Sequence, residues 1–191
     1  MKTKKIATLA VLSAITVVLQ LLSGLLTGIL PFSLSLVLIP ISVAAWYYGL
    51  EGGAILGGVF GITVFVQCVT GLDKTGLMLF GIDPLSTMLL SVGRCLLVGL
   101  LIGAISLAKK QETGFKYIYA ALAPTMNTTV FVLLYALLFN DLLIAGAGSY
   151  DSVISFIIVG LVGINYVVEL VLNIIILPPL LKALDKYNKV A

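Results

Sequence analysis

The sequence predicts an all-α polytopic membrane protein, six transmembrane helices in one domain spanning 1–191 with both termini cytoplasmic. Three observations predict it. Apolar residues make up 61% of the chain and charged residues 10%, against about 45–50% and about 25% in soluble domains. Mean hydropathy is +1.22, so in water the chain would expose more apolar surface than it could hide. The lysines, finally, collect on one side of a six-span arrangement.

A hydrocarbon core of about 30 Å takes about 20 apolar helical residues. The first span is expected over 6–29. Its start, Met1-Lys2-Thr3-Lys4-Lys5, imitates a signal peptide, but no Ala-x-Ala site closes the apolar run. The second span, 33–49, follows Pro31, is short, and holds Pro40, which could kink or break it. The third covers 52–71. The fourth, 84–108, opens on Pro84, which suits a first helical turn. The fifth covers 117–139. The sixth covers 153–180 and is expected to end near Pro178-Pro179.

Lys2, Lys4, Lys5, Lys109, Lys110, Lys116, Lys182, Lys186 and Lys189 all fall on one side of this arrangement, and Lys74 alone on the other. The opposite loops carry Asp73, Asp83, Asp141 and Asp151. The lysine side is therefore expected to be cytoplasmic. An odd number of spans would separate the two terminal lysine clusters, so the charges support an even number.

Composition also excludes chemistry. There is no histidine, hence no His-based acid–base catalysis or His metal ligand. Cys68 and Cys95 lie in apolar runs and are expected as small buried residues, not a disulfide or a metal site. No G-x-x-x-x-G-K-[ST] phosphate loop is present. The +3 net charge reflects topology rather than a nucleic-acid-binding face. No cofactor is expected, and the chain is not expected to be an enzyme.

Small residues recur at helical spacing. Gly49, Gly53, Gly57 and Gly61 share a face, and Gly24/Gly28 and Gly99/Gly103 repeat the interval. Such spacing lets helices approach closely in lipid, for packing within the chain or against a separate protein. Ala10 and Ala14 form a similar pair, with the same two uses. The outer loops 72–83 and 140–152 could cover a site that opens outward or could only connect helices.

Ionisable residues inside a membrane are costly and mark candidate sites. Arg94 lies about ten residues, or about 15 Å, into the fourth span. Glu169 lies deep in the sixth. Asn165, Glu169 and Asn173 share one helix face at four-residue spacing. Asn127, in Pro124-Thr125-Met126-Asn127-Thr128-Thr129, lies at mid-depth of the fifth span, and Phe131 and Tyr135 continue its face. Gln67 and Gln20 lie in the outer halves of the third and first spans. Arg94 and Glu169 could pair with each other, with the amides as interhelical glue, or line a ligand cavity with Asn127, Asn165, Gln67 and Tyr135. Arginine suits a carboxylate ligand, which it grips through two parallel hydrogen bonds.

Taken together, the chain resembles the substrate-binding S-components of energy-coupling factor (ECF) vitamin transporters. The resemblance rests on size, six spans, Ala10-x-x-x-Ala14, the run Leu36-Val37-Leu38-Ile39-Pro40-Ile41, and Tyr48-Gly49-Leu50-Glu51-Gly52-Gly53-Ala54. Val92-Gly93-Arg94-Cys95-Leu96-Leu97-Val98-Gly99 and Ala123-Pro124-Thr125-Met126-Asn127-Thr128 are similar to segments of the pantothenate-type branch. The resemblance implies a multi-pass protein of the bacterial plasma membrane that binds a small vitamin from outside. Its partners would be a transmembrane coupling protein and two ATP-binding cassette ATPases. Ala10 and Ala14 would then dock on the coupling protein, and Arg94 and Asn127 would face the ligand. Pantothenate is the favoured substrate; riboflavin or a pyrimidine precursor is the alternative. A stand-alone secondary transporter, or a structural membrane protein, is the alternative of another class.

Overall fold

The computed structural model describes residues 2–27, 36–108 and 113–190, and among them every regular element is helical. Five helices are long and apolar enough to cross a membrane: Thr3–Leu25, Leu38–Thr70, Pro84–Ser106, Gly114–Leu138 and Val153–Lys186. The elements are α1 (Lys2–Thr27), α2 (Leu38–Thr70), α3 (Lys74–Ile82), α4 (Pro84–Met88), a π-turn (Leu89–Gly93), α5 (Arg94–Ser106), α6 (Thr113–Leu138), α7 (Asn140–Ala147), α8 (Val153–Ser155), a second π-turn (Phe156–Val162) and α9 (Gly163–Val190).

α2 holds the two expected spans 33–49 and 52–71. Its arms meet at Gly49, where φ is 60° and ψ −140°, a conformation that favours glycine. The chain folds back there. Gly52 lies against the Ala44 carbonyl eight residues upstream, which a straight helix would hold about 12 Å away. The first arm, residues 38–48, is about 16 Å long at 1.5 Å per residue, short of the hydrocarbon thickness. The remainder of the expected second span, 33–35, lies outside the described residues, as do Gly28, Lys109 and Lys110. Pro40 does not break this arm. It sits in the first turn after Leu38, where its missing N–H has no helical partner to lose.

Two contacts fix the direction of the second arm, residues 50–70. Lys5 Nζ meets Glu51 Oε2 at 2.5 Å, and Gln20 Nε2 donates to Gln67 Oε1 at 2.7 Å. The second arm thus runs parallel to α1.

The glycine stripe is occupied by internal packing. A Cβ on Gly57 would stand 2.5 Å from the Cys95 carbonyl oxygen, one on Gly61 2.7 Å from Val92 Cα, and Gly53 and Gly99 abut each other's backbones. α2 and α5 therefore cross antiparallel at backbone contact, and that closeness is what the glycines provide. Cys68 and Cys95 are buried free thiols.

α6 and α9 pair antiparallel. At the lysine-rich end Lys116, itself buried, pairs with Asp185 and lies over the Trp46 ring. Tyr47 Oη donates to the same Asp185 at 2.8 Å. Trp46 packs on Phe115 and Tyr119. Ser106 Oγ and Tyr119 Oη donate to the Ala45 and Ser42 carbonyls, so the buried first arm of α2 is tied to both α5 and α6.

Two expectations need correction. α9 does not end at Pro178-Pro179; it runs through them to Val190. Leu177 and Leu181, on either side, are fully buried, so packing holds the helix across two missing N–H donors. The loops 72–83 and 140–152 are also more regular than expected, for they contain α3 and α7. Asp73 caps α3 by accepting from Gly76 N at 3.0 Å. Together α3 and α7 bring Leu79 and Leu143 onto Leu90, Tyr135 and Phe139 at the end opposite the lysines.

Candidate functional site

A cavity of about 200 Å³ lies where α5, α6 and α9 meet. α6 packs along both α5 and α9, while α5 and α9 do not pack along each other, and the space is left between them. Arg94 enters from α5, Asn127, Thr128 and Phe131 from α6, and Asn165, Tyr166 and Glu169 from α9, with Leu161 and Val162 from the π-turn before it.

Each contributing helix is irregular at this depth. The π-turn Leu89–Gly93 immediately precedes Arg94, and such turns re-aim the side chains that follow. Pro124 sits inside α6 and takes a backbone donor away from the ladder. Thr125 Oγ1 donates to the Ala121 carbonyl at 2.8 Å beside it. The second π-turn runs into Gly163, where φ is 46° and ψ −148°. These breaks open space that three straight, close-packed helices would fill.

The polar groups are held in place but not used up. Arg94 Cζ lies 5.1 Å from the Phe131 ring centroid, and its Nη2 approaches Cys95 Sγ at 3.7 Å. Arg94 Nε and Asn127 Oδ1 are buried without a hydrogen-bond partner. Buried polar atoms normally find one, so a donor and an acceptor stand ready beside the same cavity. Glu169 is 7% exposed and faces the same cavity. Among the described residues the ion pairs are Lys5–Glu51 and Lys116–Asp185; Arg94 and Glu169 do not form a third. Tyr166 Oη and Thr125 Oγ1 share a hydrogen bond of 3.1 Å.

Of the six candidate ligand residues, Arg94, Asn127, Asn165 and Glu169 line the cavity. Gln67 and Tyr135 do not. Gln67 is buried against α1, bonded to the Gln20 side chain and, at 3.1 Å, to its carbonyl. Tyr135 stacks between Phe131 and Phe139 in the apolar cluster above. Asn173, on the Glu169 face, is fully buried and donates to the Glu169 carbonyl at 2.9 Å. Sequence reasoning passed over Tyr166, Leu161 and Val162. Asn165, Tyr166 and Glu169 follow ordinary helical spacing, which could have found Tyr166; the π-turn that brings in Leu161 and Val162 leaves no such trace. Among the described residues no group of His, Cys, Asp or Glu is placed to hold a metal ion. Ala10 and Ala14 are exposed along α1.

Comparison with known protein families matches residues 4–181 to the model described as ECF transporter, substrate-specific component. Neither the curated proteins nor the solved structures contain a match.

Proposed function

The chain belongs to the substrate-specific components of ECF transporters, and from that premise we propose that it captures a small carboxylate vitamin, with pantothenate favoured, from outside the cell. Members of this family are substrate-binding subunits of importers, not enzymes. In the proposed arrangement the chain crosses a bacterial plasma membrane six times with both ends in the cytoplasm, the second passage being the expected span 33–49. A coupling protein and two ATP-binding cassette ATPases supply the energy.

One observation carries the choice of ligand. Arg94 keeps an unpaired donor, and Asn127 an unpaired acceptor, beside a cavity at mid-depth of the helices. A carboxylate would satisfy the first through charge-assisted hydrogen bonds, and an amide or hydroxyl of the same molecule the second. The volume points the same way. About 200 Å³ is below the roughly 300–1,000 Å³ of drug-sized sites, which favours a small flexible ligand over a fused three-ring system such as riboflavin. Ala10 and Ala14 are exposed where α1 could meet the coupling protein.

Titration of the purified chain with a panel of vitamins tests the proposal. Pantothenate is expected to bind with a Kd far below about 1 mM, that is, with more than about 4 kcal/mol. If nothing in the panel binds more tightly than that, the proposal falls.

A further inference from the structure

We propose that Glu169 determines specificity at this site by accepting the hydroxyl end of a ligand whose carboxylate is held by Arg94. The inference rests on the proposed function and adds what reads the other end of the molecule.

The cavity has two charged walls that do not neutralise each other by contact. Arg94 is held on the α5–α6 side by the Phe131 ring and the Cys95 thiol. Glu169 faces the cavity from α9. A carboxylate has about four acceptor positions, and leaving them unfilled in a buried place is costly. Two further polar neighbours are directed elsewhere. Asn173 Nδ2 is bonded to the Glu169 backbone carbonyl, not to its side chain. The Tyr166 hydroxyl is bonded to Thr125. Glu169 lines the cavity, where the hydroxyl of a bound molecule would meet its carboxylate oxygens.

Such a site selects ligands by polarity along their length. A molecule with a carboxylate at one end and hydroxyl donors at the other satisfies both walls. A dicarboxylate sets a second negative charge against Glu169. A carboxylate lacking donors leaves Glu169 buried and unfilled. Sites built to bond a ligand hydroxyl reject the analogue without it far more strongly than an apolar pocket rejects a missing methylene.

The test compares two probes on the purified full-length chain: pantothenate, and its dideoxy analogue in which hydrogen replaces both hydroxyls. Wild type is expected to prefer pantothenate by roughly 100-fold or more. Glu169→Gln should weaken pantothenate by roughly tenfold or more and leave the analogue nearly unchanged, so that the preference collapses. Glu169→Asp, a gentler change that keeps the charge, should fall between. Arg94→Ala should weaken both probes together and preserve their ratio. Parallel weakening of the two probes in the Glu169 variants would overturn the inference while leaving the proposed function standing. Failure of both probes to bind wild type would overturn the proposed function, and the role given to Glu169 with it.

Discussion

Arg94 and Glu169 share one cavity without closing into an ion pair. Arg94 stacks instead on Phe131, 5.1 Å from the ring centroid. A guanidinium placed this way keeps its hydrogen-bonding edge for another partner. Arg94→Ala is therefore expected to weaken binding of a carboxylate ligand by about 2–3 kcal/mol, roughly 30- to 150-fold. Arg94→Lys should restore only part of this, because an ammonium does not reproduce the planar fork. Equilibrium titration of the purified variants checks both. Wild-type affinity in Arg94→Ala would make the residue a packing element only.

Ala10 and Ala14 face outward from α1. A bulky side chain there should not disturb the distant cavity. Ala10→Trp is expected to bind ligand as wild type does while whole-cell uptake stops. Normal uptake by that variant would remove the docking role.

The α2–α5 crossing has no spare room. Gly53 abuts the Gly99 backbone, whereas a Cβ on Gly58 would meet nothing within 4 Å. Gly53→Ala is expected to lower Tm in detergent and reduce the yield of folded protein, at a cost of about 1–3 kcal/mol. Gly58→Ala should be neutral or slightly stabilising, since alanine is the better helix former by about 1 kcal/mol. Equal effects at the two positions, measured side by side, would contradict the glycine contact as described.

Asp83 opens α4. It accepts from Leu85 N at 3.0 Å, Ser86 N at 3.2 Å and Ser86 Oγ at 2.6 Å. These bonds, the Ser86 hydroxyl foremost, hold its carboxyl below the ordinary 3.8. A lowered folded-state value means that the cap's contribution is complete above the unfolded value and is lost as pH falls through the folded one. The first turn of α4 should hold from neutral pH down to about 4 and loosen below it. Asp83→Ala should already be loose at neutral pH. Hydrogen exchange at residues 85–87 reports this; a wild-type profile in the Ala variant would dismiss the cap.

Much of the fold and part of the candidate site are legible in the sequence. Pro84 marked the start of a helix because a missing N–H is harmless in the first turn, and it starts α4. The four-residue glycine interval gave the face that meets α5, since close approach depends only on which face is smooth. Arg94, Asn127, Asn165 and Glu169 stood out because charges and amides are costly in lipid and turn inward. The same logic misdirected Gln67, which is satisfied by Gln20 rather than by the cavity. Hydropathy says that an amide turns inward, not which helix it meets. Tyr135 continued the Asn127 face but lies two turns on, in the apolar cluster. Pro178-Pro179 looked like a helix end, and only the burial of Leu177 and Leu181 explains why it is not. The π-turns beside Arg94 and Gly163 leave no mark in simple periodicity, yet they open the cavity.

The central claim, that Arg94 and its cavity hold a small carboxylate vitamin, is tested most directly by mass spectrometry of what co-purifies with the protein. A small hydroxylated carboxylate, pantothenate in first place, is expected to be released on denaturation of wild type and to be missing from Arg94→Ala purified in parallel. A neutral or cationic ligand, retained equally by both proteins, would contradict it.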